Sequence, residues 1–163
     1  MNFKKIICWP PLLAGIGSGV TITILGYITY DSFLTDTAYG LWLMASFGST
    51  VVLVFGDPDN KFAQPKNIFF GHLLTAFIGI IFITFFEVSY LTMGLAVGIA
   101  IMLMIAFKVT HPPAGGNPIA VMIGGVSFPF LVFPIMVGAI TIIMGGIIYN
   151  NLILKRKYPI TWK

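Results

Sequence analysis

The string Thr-His-Pro-Pro-Ala-Gly-Gly-Asn-Pro at 110–118 holds the side chains with the clearest chemical uses. The His111 imidazole can donate to an anion, relay a proton or hydrogen-bond to a neighbouring helix. Asn is a preferred helix cap and Pro is favoured at the first helical position, so Asn117-Pro118 predicts the start of a short helix. Either that start points free N–H groups and the positive end of the helix dipole at an anion, or it only caps a helix at the membrane interface.

A second polar group lies at the start of the third predicted helix. It includes His72, the only histidine besides His111. A histidine at membrane depth usually faces the interior of a bundle or a water-filled path. Amide and hydroxyl groups nearby can replace part of the hydration shell of a small solute. The candidate substrate-binding residues are therefore His111, Pro112, Pro113, Gly115, Asn117, Gln64, Pro65, Asn67, His72, Ser49 and Lys66.

The composition predicts an integral membrane protein. Of the 163 residues, 58% are hydrophobic and 9% are charged, whereas about a quarter of the residues in soluble domains carry charge. Four uncharged stretches, 12–30, 38–56, 67–86 and 88–107, each approach the roughly 20 residues that span a bilayer. The uncharged segment 109–154 is long enough for a broken crossing at 113–131 and a regular one at 135–154. We therefore predict an all-α bundle, a single membrane domain over 1–163, with five to six spans and a broken or re-entrant segment after residue 113.

Charge sets the predicted orientation. The net charge of +4 fits the topology signals of a membrane protein, and no nucleic-acid partner is expected. With the N-terminus in the cytoplasm of a bacterium, every short loop obeys the positive-inside rule. The inner side then carries Lys4, Lys5, Lys61, Lys66 and Lys108, and the outer side carries the loop 31–36 and Glu87. The basic tail at 155–157 is inside with six crossings and outside with five. We predict the inner membrane and favour six crossings.

Catalysis finds little support in the sequence. No Ser, His and acid trio has helical spacing, and no nucleotide-binding loop occurs, so we expect no enzyme activity and no cofactor. Two histidines and the lone Cys8 do not form a metal site, and Cys8 has no assigned role. The Gly94-x-x-x-Gly98 spacing permits close helix approach. A chain of six short helices encloses little volume, so a pore or carrier made from it needs either a homo-oligomer or a fully used helix interior.

Two proline-bearing junctions are alike. Gln64-Pro65 follows Pro58 much as Asn117-Pro118 follows Pro112. The match is either chance or a weak repeat that places both helix starts on the same side of the membrane.

The chain resembles the HPP family of integral membrane proteins. The residues that carry the resemblance are Gly48, Ser49, Gly56, Pro58, Gln64, Pro65, Asn67, Gly71, His72, His111, Pro112, Pro113, Gly115 and Asn117. The resemblance implies a membrane transporter of a small inorganic anion such as nitrite. Two positions depart from the family pattern: Lys66 stands where Arg is frequent, and Asp57 where the residue is usually uncharged. An acid near the mouth repels anions, and Lys lacks the bidentate grip of Arg.

The sequence is also compatible with two other functions. Proline-capped half-helices with few buried charges also suit a channel for small neutral solutes or water. The same motif could instead lock the helices of a structural membrane subunit that transports nothing. The partners expected are a small anion and membrane lipid, with a second copy of the chain as a further candidate.

Overall fold

The computed structural model describes the backbone of residues 9–35 and 45–162, and side chains from 11–28 and 45–162. Within these ranges the chain is helical, without a β-strand, which confirms the all-α prediction. The helices are α1 (Trp9–Thr35), α2 (Ala45–Gly56), α3 (Pro65–Phe85), α4 (Tyr90–Ala106), α5 (Asn117–Gly124) and α6 (Leu131–Ile153). Two 3₁₀ turns occupy Lys61–Ala63 and Pro112–Gly116. The expectations for Lys4, Lys5, Cys8 and the first part of the 38–56 span fall outside the described residues.

Three of these helices are long and apolar enough to cross a membrane: Pro11–Ile28 within α1, Pro65–Phe85 and Leu131–Ile153. Helices α2 and α4 are shorter apolar helices in the described ranges. Helix α5 has 8 residues and is about 12 Å long, less than half the roughly 30 Å of the hydrocarbon core. The predicted broken segment is therefore present. It is a 3₁₀ turn, the half-helix α5 and a reversal at Gly125, which has a left-handed φ of 61°.

Helix α1 runs further than its uncharged stretch predicted. It continues to Thr35, so Asp31 belongs to the helix, although the sequence placed it in a loop at 31–36.

Helices α3 and α5 run side by side in the same direction. A Cβ on Gly71 would lie 2.7 Å from Cβ of His111, and one on Gly79 would lie 2.9 Å from Cβ of Val121. The two glycines thus let the segment after α4 approach the backbone of α3. The Asn67 amide donates to the Thr110 carbonyl at 2.8 Å and fixes the point where that approach begins. The two helix starts that looked alike in the sequence therefore face the same side of the bundle.

Helix α6 returns to that side. It packs antiparallel to α1, because Gly17 lies against Tyr149 and Gly145 lies against Thr21. Helix α1 therefore begins, and α6 ends, at the face where α3 begins. We call it the basic face, since it carries the described basic residues Lys61, Lys66, Lys108, Lys155, Arg156 and Lys157. Glu87 lies at the opposite end, between α3 and α4.

In the core of the bundle, glycines on one helix leave room for large side chains of another. Gly138 of α6 faces the Phe47 ring, and Gly146 faces Val54. The prediction for Gly94 and Gly98 is wrong within the chain, because the described residues place no neighbouring atom within 4 Å of a Cβ at either position. Helix α4 packs instead through the side that carries Ala96, Ala100 and Met104. Both glycines lie within α4, on its outer surface.

Candidate functional site

Two buried histidine rings share one hydroxyl group at the centre of the bundle. Oγ1 of Thr50 lies 2.9 Å from Nε2 of His72 and 2.9 Å from Nε2 of His111. All three residues have 0% relative exposure. The three come from α2, α3 and the segment before the 3₁₀ turn at Pro112–Gly116, so the contact joins three separate parts of the chain.

The second ring nitrogen of His72 faces an amide. Nδ2 of Asn117 lies 3.0 Å from Nδ1 of His72 and donates to Oγ1 of Thr75 at 3.0 Å. The Thr75 hydroxyl in turn donates to the Gly71 carbonyl at 2.8 Å. We name the five residues Thr50, His72, Thr75, His111 and Asn117 the histidine cluster.

The second ring nitrogen of His111 faces the loop between α2 and α3. Nδ1 of His111 lies 2.7 Å from the carbonyl oxygen of Phe62. A carbonyl oxygen can only accept, so Nδ1 carries a hydrogen. Phe62 belongs to the 3₁₀ turn Lys61–Ala63, and Asn60 accepts from two N–H groups of this turn: its Oδ1 from Phe62 and its carbonyl from Ala63.

The donors and acceptors of the cluster form one directed chain. Because the Asn117 amide donates to Nδ1 of His72, the neutral His72 ring carries its hydrogen on Nε2 and donates it to Thr50. Oγ1 of Thr50 also lies 2.9 Å from the Ser46 carbonyl. A neutral His111 ring that donates from Nδ1 to Phe62 has no hydrogen on Nε2, so Nε2 is paired when the Thr50 hydroxyl donates to it. Both rings are neutral in this arrangement, and each of their four nitrogens has a partner. This satisfies the requirement that polar groups buried in an apolar bundle be paired.

Apolar and aromatic groups enclose the cluster. The Phe47 ring lies 4.9 Å from the His72 ring, and the two histidine rings lie 5.0 Å apart between centroids. Met104, Val109 and Ala114 form one buried apolar group, and Ile78, Phe82 and Met122 belong to a second. Three cavities of about 410, 200 and 470 Å³ within the described residues are lined by other residues. Among the described residues the five side chains of the cluster are 0–2% exposed, so the structure shows the cluster closed.

Asn117 is not the helix cap that the sequence predicted. Gly116, in right-handed helical conformation, precedes α5, and Asn117 itself is helical with φ −59° and ψ −39°. The extended residue is His111, with φ −137° and ψ 98°, because the 3₁₀ turn runs directly into α5. Pro112 and Pro113 start that turn, and Pro118 lies in the first turn of α5. The Asn117 amide is thereby free to reach His72.

Gln64, another predicted site residue, lies in a different network. Its Nε2 donates to the carbonyls of Pro58 and Asn60, each at 2.9 Å. Its Oε1 accepts from the N–H groups of Ile160 at 2.9 Å and Thr161 at 3.3 Å. The side chain therefore fastens the C-terminal segment to the loop between α2 and α3.

The remaining predicted residues lie around the cluster or away from it. Lys66 lies with Trp162 on the cavity of about 470 Å³ at the basic face, and Pro65 is the first residue of α3. Ser49 is exposed, and its hydroxyl donates to the Ala45 carbonyl of its own helix. Pro112 is exposed, and Pro113 and Gly115 are half-buried. No described hydrogen bond joins any of these side chains to a histidine ring.

The structure adds Thr50 and Thr75 to the residues that the sequence had selected. Helical spacing could have found both. Thr50 follows the buried Phe47 by three positions, and Thr75 follows His72 by three, so each lies on the inward face of its helix. Ser49, one position earlier, falls on the outer face.

Comparison with known proteins agrees with the geometry of a membrane bundle. A family model described as "HPP, transmembrane region" matches residues 5–159. The chain belongs to the HPP family. Two proteins of Dictyostelium discoideum, described as transmembrane proteins, are 31% and 32% identical to it over 155 residues. These alignments cover 90% of the chain and 49% and 54% of the relatives, so the chain spans about half the length of the curated relatives it matches. No solved structure matches.

The HPP tripeptide, His111 to Pro113, thus has a physical reason in this chain. The histidine enters the cluster, and the two prolines begin the turn that brings Asn117 to the same place. His111 thus supplies a polar group to the cluster, and the two prolines position Asn117 beside it.

Proposed function

We propose that this HPP protein carries a small inorganic anion, with nitrite as the first candidate, across a bacterial inner membrane. The observation that carries the proposal is the histidine cluster itself. It brings five polar side chains together with little or no exposure inside an apolar bundle. Polar and ionisable groups at membrane depth are costly and commonly mark solute or ion pathways. The orientation that fits has the basic face in the cytoplasm, as the positive-inside rule requires.

The cluster offers an anion several hydrogen-bond donors and no carboxylate. The rings of His72 and His111, the Thr50 hydroxyl and the Asn117 amide all carry hydrogens that an anion's oxygen atoms can accept. Their described hydrogen bonds are to uncharged groups. Neutral donors favour an anion without holding it as tightly as a fixed cation. Transport requires binding strong enough for entry and weak enough for release.

The route to the cluster must open and close. The half-helix α5 and the turn before it are the interrupted elements that cover the cluster, and interrupted helices form the substrate sites of many transporters. In the proposed cycle the 3₁₀ turn Pro112–Gly116 moves away from α2, which breaks the Thr50–His111 contact, while the Asn117–His72 contact between α5 and α3 is kept. The anion then takes the place of Thr50 beside His111.

A structural role is the competing proposal, and one observation favours it. All hydrogen-bonding nitrogens of the two histidines are paired inside the chain. A cluster of this kind can lock three helices together without a ligand. A channel for neutral solutes or water is the third proposal, and it would pass water or glycerol but none of the anions.

Flux into vesicles containing the purified protein separates these proposals. Nitrite, nitrate, formate, bicarbonate and chloride are tested one at a time, alongside water and glycerol. We expect uptake of at least one anion, and a loss of at least tenfold in Thr50→Val, which keeps the shape of the side chain but removes the hydroxyl. Thr23→Val is the matched control, because the Thr23 hydroxyl is exposed and donates to the Gly19 carbonyl of its own helix.

Three results of this experiment would contradict the proposal. No uptake of any of the five anions by the folded wild type would exclude anion transport from this set. Unchanged uptake in Thr50→Val would remove the cluster from the pathway. Flux of water or glycerol alone would support the channel.

A further inference from the structure

We infer that the paired histidines His72 and His111 take up one proton, and only one, with each anion, so that transport is electroneutral proton–anion symport. The inference rests on the proposed function and names its coupling ion and stoichiometry. The geometry of the shared Thr50 hydroxyl carries it.

The empty, neutral cluster has one complete arrangement of hydrogens. His72 donates to Thr50, Thr50 donates to His111, and His111 donates to Phe62. Nε2 of His111 is therefore a proton acceptor whose lone pair points at the Thr50 oxygen.

A first proton can be added without leaving any hydrogen unpaired. When Nε2 of His111 gains a proton, it becomes a donor to Oγ1 of Thr50. The hydroxyl hydrogen then rotates to the Ser46 carbonyl, which already lies 2.9 Å from that oxygen. The Thr50 oxygen accepts from both rings, using its two lone pairs. The Ser46 carbonyl is therefore the alternative acceptor for the displaced hydroxyl hydrogen.

Binding of a second proton to the two rings is disfavoured. The only ring nitrogen still free to accept is Nδ1 of His72, and the Asn117 amide already points its own hydrogen at that atom. A second cationic ring would also lie 5.0 Å from the first in a closed apolar environment. The described neighbours of the two rings are Thr50 and Phe47 of α2, Phe62 of the Lys61–Ala63 turn and Asn117 of α5. All four are uncharged, so no acidic group among them compensates a second positive charge.

The charge balance of the loaded site follows. One anion and one proton enter together, the proton sits on the histidine pair, and the net charge added is zero. Both leave on the other side, and the cluster returns to its neutral arrangement. A site that is neutral both empty and loaded crosses the membrane field without electrical work, whereas a bare anion would feel the membrane potential.

The test uses full-length protein in vesicles with a pH-sensitive dye inside and the anion that shows the fastest uptake. An inward proton gradient at zero potential is expected to accelerate anion uptake and to move protons and anions in a 1:1 ratio. A potential imposed at equal pH is expected to leave the uptake rate unchanged. A ratio of zero or two, or a rate that follows the potential, overturns the inference while the proposed function survives. Absence of uptake for all five anions overturns both.

A variant series distinguishes the positioning role of Thr50 from mere packing. Thr50→Ser retains the shared oxygen, and we expect its proton-to-anion ratio to stay at one. Thr50→Val lacks the oxygen, and we expect its residual uptake to lose the acceleration by a proton gradient. Equal acceleration in Thr50→Val and in the wild type would show that the hydroxyl only packs, and would overturn the inference. If Thr50→Val does not fold, proton uptake per bound anion by the wild type in weakly buffered detergent decides: one supports the inference, and zero or two reject it.

Discussion

The Tyr158 hydroxyl donates to the carbonyl of Ala63 at 2.7 Å, next to the Phe62 carbonyl that accepts from His111. One short turn, Lys61–Ala63, therefore supports both the C-terminal segment and the histidine cluster. Gln64 strengthens the same connection by accepting from the backbone of Ile160. Arg156 adds a further link, donating to the Phe55 carbonyl at the end of α2. The tail after α6 is thus part of the structure that positions the HPP motif.

Tyr158→Phe is expected to destabilise the protein. The change leaves the Ala63 carbonyl without its phenol partner in a buried place, which costs about 1–3 kcal/mol. Thermal unfolding of the detergent-solubilised protein measures the loss as a lower midpoint. Tyr90→Phe is the control, because Tyr90 is 90% exposed and its midpoint should not move. Equal midpoints for the two variants would show that the tail contributes no stability through this bond.

The same residue predicts a dependence on alkaline pH. Burial raises the pKa of the Tyr158 phenol above its ordinary value of about 10. The unfolded chain therefore loses this proton at a lower pH than the folded chain. The stability that the group contributes is complete below about pH 10 and is lost as the pH rises further, through the folded pKa. Unfolding midpoints measured from pH 8 to 11.5 should fall more steeply above pH 10 in the wild type than in Tyr158→Phe. Parallel curves would contradict the assignment.

Gly71→Ala is expected to damage the site through crowding. The new Cβ would lie 2.7 Å from Cβ of His111 and 3.1 Å from the Val109 carbonyl, so the segment before the 3₁₀ turn Pro112–Gly116 must move. Overpacking of this kind costs about 1–3 kcal/mol, and the displaced His111 should lose its bond to Thr50. The measurements are the unfolding midpoint and anion uptake, and both should fall. Gly19→Ala in α1 is the control, since nothing lies within 4 Å of its Cβ. A Gly71→Ala protein with wild-type uptake would argue against the tight approach.

The sequence was sufficient for the class of the protein, the broken segment and three members of the cluster, and each success has a physical cause. Apolar stretches of membrane length and proline before a helix are local signals, so they appear in the sequence directly. The partners of Asn117 and Gln64 are not local. Asn117 bonds a residue 45 positions away and Gln64 one 96 positions away, and neither contact has a pattern in the chain. Their amides were therefore interpreted as parts of helix starts, when both serve tertiary contacts.

Asn117→Ser separates those two accounts of the HPP motif. Ser is as good a helix cap as Asn, so a capping role predicts that the variant retains stability and uptake. The structure predicts the opposite, because the short Ser side chain does not extend to Nδ1 of His72, which lies 3.0 Å from the Asn117 amide nitrogen. We expect uptake to fall at least tenfold and the unfolding midpoint to drop, since a buried ring nitrogen and the Thr75 hydroxyl lose their donor.

Asn151→Ser is unsuitable as a control because that side chain bonds both the N–H and the carbonyl of Tyr158. Thr84→Ser on α3 is suitable and should leave both measurements unchanged, since within the described part of the chain its hydroxyl bonds only the Ile80 carbonyl of its own helix. Wild-type behaviour of Asn117→Ser would restore the capping role and remove Asn117 from the histidine cluster.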